Sequence, residues 1–383
     1  MSSKGWKIKQ LGDLITFQRG HDLPKSEFVH GKYPIAGSNG IIGYHNEFTT
    51  KGPSITIGRS GSLGAPYFYE NDFWAHNTTL YVKEFHNSDP KFVYYLLKTL
   101  DFTQFNSGSA VPSLNRNYIH PLEVFVPEDK KTQHRIAEIL SALDDKIELN
   151  RQTNGTLEAI AQAIFKEWFV YFNFPSASGE KVESELGMIP KGWGVGRLGD
   201  FGNVVCGKTP SKANANYFGG EIPFIKIPDM HNSVFITDTE DSLTEVGALT
   251  QKNKFLPPYS LIVSCIATVG LVSLTSKKSQ TNQQINAIIP KRDHTSLYLY
   301  FYLKGLKGLL KDLGSGGSAT LNVNTTSFSN IICVIPDENI LFEYGIVIKP
   351  LFEKILSSNQ EISFLSKIRD TMLPKLMSGA IEV

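Results

Sequence analysis

The sequence predicts an α+β protein, with two pseudo-symmetric globular units of mixed helix and sheet separated by two long helices packed as an antiparallel coiled coil. Three observations carry this. First, the chain of 383 residues repeats itself once. Gly5-Trp6 and Leu11-Gly12-Asp13 return as Gly192-Trp193 and Leu198-Gly199-Asp200, and Gly108-Ser109-Ala110 returns as Gly317-Ser318-Ala319. Lys146-Ile147, Leu157 and Ile160 return as Lys354-Ile355, Leu365 and Ile368. Second, turn-rich, aromatic stretches alternate with stretches almost free of Pro and Gly. Third, the latter carry apolar residues at steps of three and four. The expected boundaries are 1–128 for the first unit, 129–175 for the central helical spacer, 176–336 for a linker and the second unit, and 337–383 for the closing helical region.

In the first unit, short β-like runs such as Ser54-Ile55-Thr56-Ile57, Thr79-Leu80-Tyr81-Val82 and Leu122-Glu123-Val124-Phe125-Val126 are separated by Ser38-Asn39-Gly40 and Ser60-Gly61. Alternation bounded by such turn residues predicts a twisted, mostly antiparallel sheet. Phe92, Val93, Leu96, Leu97 and Leu100 keep helical spacing and predict one helix over 90–100.

From 132 to about 172 there is no Pro and one Gly, Gly155. Ile136, Leu140, Leu143, Ile147, Leu157, Ile160, Ile164 and Trp168 form an apolar seam, interrupted around Asn150 and Asn154, which are placed to fix register. Forty such residues span about 60 Å at ~1.5 Å each. Ile348, Leu351, Ile355, Ile362, Leu365, Ile368 and Met372 repeat the pattern near the C-terminus. An intramolecular antiparallel pair is the economical arrangement. It acts as a rod, and seven residues inserted at 150 would keep the heptad register and lengthen it by ~10 Å.

Pro175-Ser176-Ala177-Ser178-Gly179 reads as a linker. The second unit has expected strands over 222–227, 260–266 and 331–335, and an expected helix over 296–313. The glycine-rich run Gly314-Ser315-Gly316-Gly317-Ser318 follows that helix.

A hydrophobic content of 41% and a charged content of 20% fit a soluble globular protein with room for two or three cores. No apolar run is long enough to span a membrane and no signal peptide precedes Trp6, so a cytoplasmic protein is expected. Cys206, Cys265 and Cys333 are too far apart for a zinc spacing and read as buried thiols. The net charge of +1 hides a pattern. Residues 1–130 carry +1 and 186–336 carry +5, whereas 131–185 carry −3 and 337–383 carry −2. Positive charge sits in the globular units, where a nucleic acid would lie, and the helices suit another partner. An internally two-fold chain also suits a two-part ligand such as duplex DNA.

Two motifs that resemble catalytic ones lack their context. Gly202-x4-Gly207-Lys208-Thr209 matches the P-loop spacing, but Pro210-Ser211-Lys212-Ala213-Asn214 does not continue as an apolar-striped helix. Leu256-Pro257-Pro258-Tyr259 resembles the Asp/Asn-Pro-Pro-Tyr motif of amino-methyltransferases, yet leucine accepts no hydrogen bond from an amino group. The nine histidines form no HExxH or HxH pair, and the acidic residues lack the Glu-x-Lys companion of restriction nucleases. No catalytic residue, metal ligand or cofactor site is expected in this chain.

The joints carry a resemblance. Gln133-x-Arg135-Ile136-Ala137-Glu138-Ile139-Leu140-Ser141-x-Leu143-Asp144-Asp145-Lys146-Ile147-Glu148-Leu149-Asn150 and its continuation Ala161-Gln162-Ala163-Ile164-Phe165-Lys166-x-Trp168-Phe169 resemble the central spacer of type I restriction-modification specificity subunits. Glu185-Leu186-Gly187-Met188-Ile189-Pro190-Lys191-Gly192-Trp193 is similar to that family's lead-in to its second target-recognition domain. Met372-Leu373-Pro374-Lys375-Leu376-Met377-Ser378-Gly379 is similar to its closing segment. The resemblance implies a non-catalytic subunit whose two recognition domains each read one half of a bipartite, asymmetric target in double-stranded DNA. It further implies a helical ruler that docks two adenine N6-methyltransferase subunits, with restriction and translocase subunits joining them. S-adenosylmethionine, ATP and magnesium would belong to those partners. The competing readings are a coiled-coil scaffold without sequence-specific DNA binding and a P-loop nucleotide hydrolase.

Base edges call for Arg, Asn and Gln, and phosphates for Lys, Arg, hydroxyls and backbone amides. The candidates in the first unit are Ser38, Asn39, Arg59, Ser60, His76, Asn77, Ser113, Asn115 and Arg116. In the second they are Lys208, Thr209, Ser211, Lys226, Gln283, Gln284, Ser318, Asn322 and Asn324. Each also reads as a turn former or a structural hydrogen bonder. Tyr44, Tyr67 and Trp74 read as core rather than base-stacking groups. Glu138, Asp145, Glu148 and Glu158 lie off or beside the seam and are the candidate partner-facing carboxylates, with a solvated helix face as the bland alternative.

Overall fold

The repeated Trp-x4-Leu-Gly-Asp segment opens each unit for the same structural reason. In the computed structural model, which describes residues 5–105, 113–315 and 321–383, Trp6–Gln10 pairs antiparallel with Glu123–Pro127. Gly194–Arg197 pairs likewise with Ile332–Ile335. A single turn of helix follows each strand, and the repeated residues build it. Leu11 and Leu198 are fully buried. Asp13 Oδ2 accepts from Gln10 N–H at 3.0 Å, and Asp200 Oδ2 from Arg197 N–H at 2.7 Å. A Cβ on Gly12 would meet His120, and one on Gly199 would lie 2.4 Å from Ser329 Oγ. The segment therefore ties an early strand of each unit to its last.

The chain divides into two compact units, Met1–Lys146 with Leu365–Val383, and Ile147–Phe364. The first holds an antiparallel sheet in the order Ile15–Arg19, Thr79–Phe85, Ser54–Gly58, Pro66–Tyr69. A smaller sheet joins Gly40–His45, Tyr33–Gly37 and Trp74–Ala75, the last pair being parallel. The helix Pro90–Lys98 starts where Asp89 caps Phe92 N–H at 2.9 Å, and it buries Phe92, Val93, Leu96 and Leu97 with Phe17, Ile55 and Ile57 in one core. Proline at the first helical position costs nothing there because its N–H would be unpaired anyway.

The second unit carries a five-stranded sheet in the order Gly202–Cys206, Ile285–Pro290, Leu261–Ser264, Val272–Thr275, Phe235–Ile236. Asp241–Leu243, Phe218–Ile225 and Gln280–Thr281 form another. The strand expected over 222–227 stops at Ile225, because Ile227–Met230 turns tightly with Asp229 Oδ2 accepting from Lys226 N–H at 2.7 Å. The single helix expected over 296–313 is two, Asp293–Gly305 and Lys307–Gly314, broken at Leu306. Gly305 and Gly308 flank the break, each costing a helix about 1 kcal/mol relative to alanine.

The long helices run Lys130–Phe169 and Glu338–Met377. Asp129 starts the first by accepting from Lys131 and Thr132 N–H at 3.2 and 3.0 Å. Its covered residues correct the expected seam. Ile136, Leu140, Leu143, Ile147, Asn150, Asn154, Leu157, Ala161, Ile164 and Trp168 are all buried or half-buried, an unbroken alternation of four and three. The asparagines thus occupy the seam rather than interrupt it. Ile160 lies one residue off it and is 45% exposed. In the second helix Tyr344, Ile348, Leu351, Ile355, Ser358, Ile362, Leu365, Arg369, Met372 and Leu376 keep the same spacing, and Ile368 falls beside it. Within the second unit Asn150 pairs with Glu361 at 2.9 Å, Asn154 with Asn359 at 2.6 Å, and the ring of Phe165 meets that of Tyr344. Partners run in opposite order along the two helices, so the pair is antiparallel there. Among the described residues no helix is long and apolar enough to cross a membrane.

Candidate nucleic-acid interface

The edge strand Ile15–Arg19 of the first unit's larger sheet presents polar side chains because it alternates. Ile15 and Phe17 are fully buried, and Thr16 and Gln18 point the other way. Together with Arg19, Arg59, Lys83, the loop Ser113-Leu114-Asn115-Arg116 and Tyr118, they line an open groove of about 850 Å³. Four cations, Arg19, Arg59, Lys83 and Arg116, meet one carboxylate there, Asp22. Phosphates are bound by such a convergence of Arg and Lys, and bases by the amides between them.

Backbone bonds hold the walls. Arg59 N–H donates to Thr78 O at 2.8 Å, and Leu114 N–H to Arg59 O at 2.8 Å. Ser60 bridges to Ser113. Asn115 caps the turn Arg116–Ile119 by accepting from Asn117 N–H at 3.0 Å. Arg116 Nη1 donates to Phe17 O at 3.2 Å, and the adjacent Phe17 N–H donates to His120 Nε2 at 3.1 Å. Burial, with Arg116 and His86 nearby, holds the His120 ring below its usual pKa and keeps it the neutral acceptor that this bond needs.

Arg59, Ser113, Asn115 and Arg116 are thus brought together from two segments. Ser38 and Asn39 form the tip of the Tyr33–Gly37/Gly40–His45 hairpin, with Asn39 exposed. His76 is engaged structurally, its Nδ1 with Thr78 Oγ1 at 2.9 Å and its Nε2 with Leu23 O at 3.2 Å. Asn77 donates to Asp22. Tyr44, expected in the core, is 53% exposed on the same strand as exposed Ile41 and Ile42, since that hairpin is covered on one face only. Tyr67 and Trp74 are half-buried. Sequence reasoning missed Arg19, Asp22, Lys83 and Gln18. Only Gln18 carried a signal, the period-two alternation of Ile15-Thr16-Phe17-Gln18 that turns it away from buried Ile15 and Phe17.

In the second unit Thr209 Oγ1 donates to Gln283 Oε1 at 2.7 Å, which brings Lys208-Thr209 beside Gln283. Gly207 and Lys208 N–H are bonded to Ile285 O and Thr281 O at 3.0 and 2.9 Å, and Gly202–Cys206 is itself a strand. The P-loop spacing therefore has no cradle of convergent amides. Ser211 is exposed nearby, and Gln284 accepts from Asn282 Nδ2 at 2.9 Å. Lys226 is paired with Asp241 at 2.8 Å and Glu240 at 3.1 Å, and the Asp241 bond in particular raises its pKa. Asn322 bridges to Ile266, and Asn324 caps Thr325–Ser329 by accepting from Ser327 N–H at 2.8 Å, the counterpart of Asn115. Ser318 lies outside the described residues.

The four helix carboxylates separate. Glu138, paired with Arg135 and His134, Glu148, beside Gln152 and Arg151, and Asp145 are exposed. Glu158 is instead engaged inside its own unit by Tyr300, whose hydroxyl donates at 2.7 Å, and by Lys304. Asp144 also faces inward, to Tyr95 and Arg369. Among the described residues no group of three His, Cys, Asp or Glu side chains is placed to hold a metal ion.

A doubled mixed sheet-and-helix unit with a basic outer groove and paired long helices is the architecture of a DNA-reading subunit. The chain belongs to the family of the type I restriction modification DNA specificity domain, whose model matches residues 3–159 and again 190–363. It is 35% identical to the type I restriction enzyme HindI specificity subunit of Haemophilus influenzae, covering 98% of this chain and 99% of that one. It is 29% identical to the type I restriction enzyme MjaIX specificity subunit of Methanocaldococcus jannaschii, covering 99% and 94%. The crystal structure of the type I restriction-modification system S subunit from M. genitalium shares the fold, with a TM-score of 0.63 at 18% identity over 97% of this chain and 96% of that one.

Proposed function

We propose that this chain is the DNA sequence-specificity subunit of a type I restriction-modification complex, with methylation and cleavage carried out by partner subunits. The single observation that carries the reading is the groove that gathers Arg19, Arg59, Lys83 and Arg116 around the amides of Gln18 and Asn115. Full-length family membership supports it. Residues 1–128 and 176–336 are the two readers, each taking one half of a bipartite duplex target. Residues 129–175 and 337–383 form the spacer. Asn115 and Asn324 cap equivalent turns, but the side chains around them differ, Arg116 standing in one unit where Thr325 stands in the other. The half-sites are therefore different and the target asymmetric.

On this reading Ser38, Asn39, Arg59, Ser113, Asn115 and Arg116 face DNA from the first unit, and Lys208, Thr209, Ser211, Gln283, Asn322 and Asn324 from the second. Glu138, Asp145 and Glu148 face two adenine N6-methyltransferase subunits. S-adenosylmethionine, ATP and magnesium are bound by the methyltransferase and the translocase. The test is selection from a randomised duplex library by the chain co-purified with its modification subunits. Enrichment of two short motifs at a fixed separation supports the reading. Binding without any enriched sequence contradicts it and favours a scaffold.

A further inference from the structure

The groove's one carboxylate is out of place in a phosphate-binding surface unless it does something else. Asp22 accepts from Arg19 Nη2 at 3.1 Å through Oδ1 and at 3.4 Å through Oδ2, and it also accepts from Asn77 Nδ2. Arg19 ends one strand, and Asn77 sits in the turn before Thr79–Phe85. These two segments are clamped without slack. Gly20 N–H donates to Thr79 O at 3.0 Å and His21 N–H to Ala75 O at 2.7 Å. A Cβ on Gly20 would lie 2.1 Å from His76 O, so only glycine permits the approach. Asn77 O in turn accepts from Arg59 Nη1 at 3.4 Å. The hydrogen bond from Asn77, followed by Arg19, holds the Asp22 carboxyl below its usual pKa, so it stays an acceptor.

We infer that Asp22 is a positioning residue for specificity, holding Arg19 and Asn77 as a fixed pair that reads adjacent purine edges in the half-site of the first unit. The inference rests on the specificity-subunit reading. A carboxylate only accepts, so it selects the orientation of the Asn77 amide in which Nδ2 turns toward it. That leaves the amide carbonyl and second N–H for adenine N6 and N7. The Arg19 guanidinium, gripped at Nη2, keeps further N–H donors in a fixed plane, as a contact to guanine O6 and N7 requires. A free arginine would find phosphates instead.

The decisive variant is Asp22→Asn, tested as the intact complex with its modification subunits. Its duplexes are the one selected by the wild type, single-base variants of that duplex, and one of unrelated sequence. Losing a negative charge beside phosphates is expected to leave binding to unrelated DNA equal or tighter. Binding to the selected duplex is expected to weaken about tenfold. The lost preference should map to one or two adjacent purines of one half-site. Asn77→Ala and Arg19→Ala should lose preference at the same positions, with no further loss when either is combined with Asp22→Asn. Equal weakening on all duplexes would mark a merely structural role and overturn the inference, as would unaltered preference at every position. If Asp22→Asn does not yield folded protein, Asn77→Ala and Arg19→Ala decide alone, and full retained preference in both overturns it. A wild-type complex that prefers no sequence would instead remove the specificity reading, and this inference with it.

Discussion

Arg369 Nη1 lies 2.7 Å from Asp144 Oδ1, while Asp144 Oδ2 accepts from the Tyr95 hydroxyl at 2.9 Å. One carboxylate thereby joins both long helices to the helix Pro90–Lys98 inside the first unit. Arg369 occupies a seam position, where an apolar residue is the rule, and about four-fifths of its side chain is covered. Removing Arg369 leaves the partly covered Asp144 carboxylate with Lys98 at 3.9 Å and the Tyr95 hydroxyl as its remaining partners. Arg369→Ala is expected to destabilise the first unit by about 2 kcal/mol, discounted for its remaining exposure. Arg369→Met, which fills the seam with an apolar group, leaves Asp144 still bonded to Tyr95 and should cost less. Urea unfolding followed by circular dichroism measures both.

The polar layer of the second unit behaves differently. Asn154 donates to Asn359, and the neighbouring seam residue Ser358 is fully buried. Asn359→Leu alone strands the Asn154 amide and is expected to cost about 1–3 kcal/mol. Asn154→Leu with Asn359→Leu should be within about 1 kcal/mol of the wild type, because neither polar group remains to be satisfied. A double-mutant cycle on thermal unfolding reads the difference. Seven residues inserted between Asn150 and Asn154 alone displace one of the Asn150–Glu361 and Asn154–Asn359 pairs, so a matched insertion in both helices is the one that keeps the helix register of the second unit.

His120 makes the groove sensitive to acid. Its folded pKa lies below 6.5, through burial first and the charges of Arg116 and His86 second. The folded state therefore holds the proton less readily than the unfolded one. Stability from the neutral ring is complete above 6.5 and is lost progressively as pH falls from there through the folded value. The melting temperature of the wild type should fall between pH 7.5 and pH 5.5. His120→Gln, which can still accept from Phe17 N–H, should show a smaller fall.

Phosphate and base contacts separate by salt. Lys83 lines the groove as a point charge. Lys83→Ala is expected to weaken selected and unrelated duplexes alike and to reduce the slope of log K against log salt by about 1. Fluorescence anisotropy at several salt concentrations measures this. A change confined to one base position would mean that Lys83 reads sequence.

The repeat, the helix starting at Pro90 and both long helices were legible from spacing alone, because local periodicity and caps determine them. The apolar part of the seam was legible except at Ile160 and Ile368, while its polar members Asn150 and Asn154 read as an interruption and Ser358 was missed. Ile160 and Ile368 were chosen for being apolar, whereas the true positions include Ala161 and Arg369, which geometry rather than hydropathy selects. Arg59, Asn115 and Arg116 were legible as polar loop residues. Arg19, Asp22 and Lys83 were not, since the groove forms only when Ile15–Arg19 pairs with the distant strand Thr79–Phe85. Glu158 read as an outward carboxylate because its partners Tyr300 and Lys304 lie on a helix far along the chain.

Whether this chain chooses where a partner methylates DNA is read by mapping adenine methylation in cells with and without it. One bipartite, asymmetric methylated motif is expected to vanish on deletion and return on complementation, with altered bases in one half-site when Asp22→Asn is supplied instead. An unchanged methylation map after deletion would contradict the specificity-subunit reading.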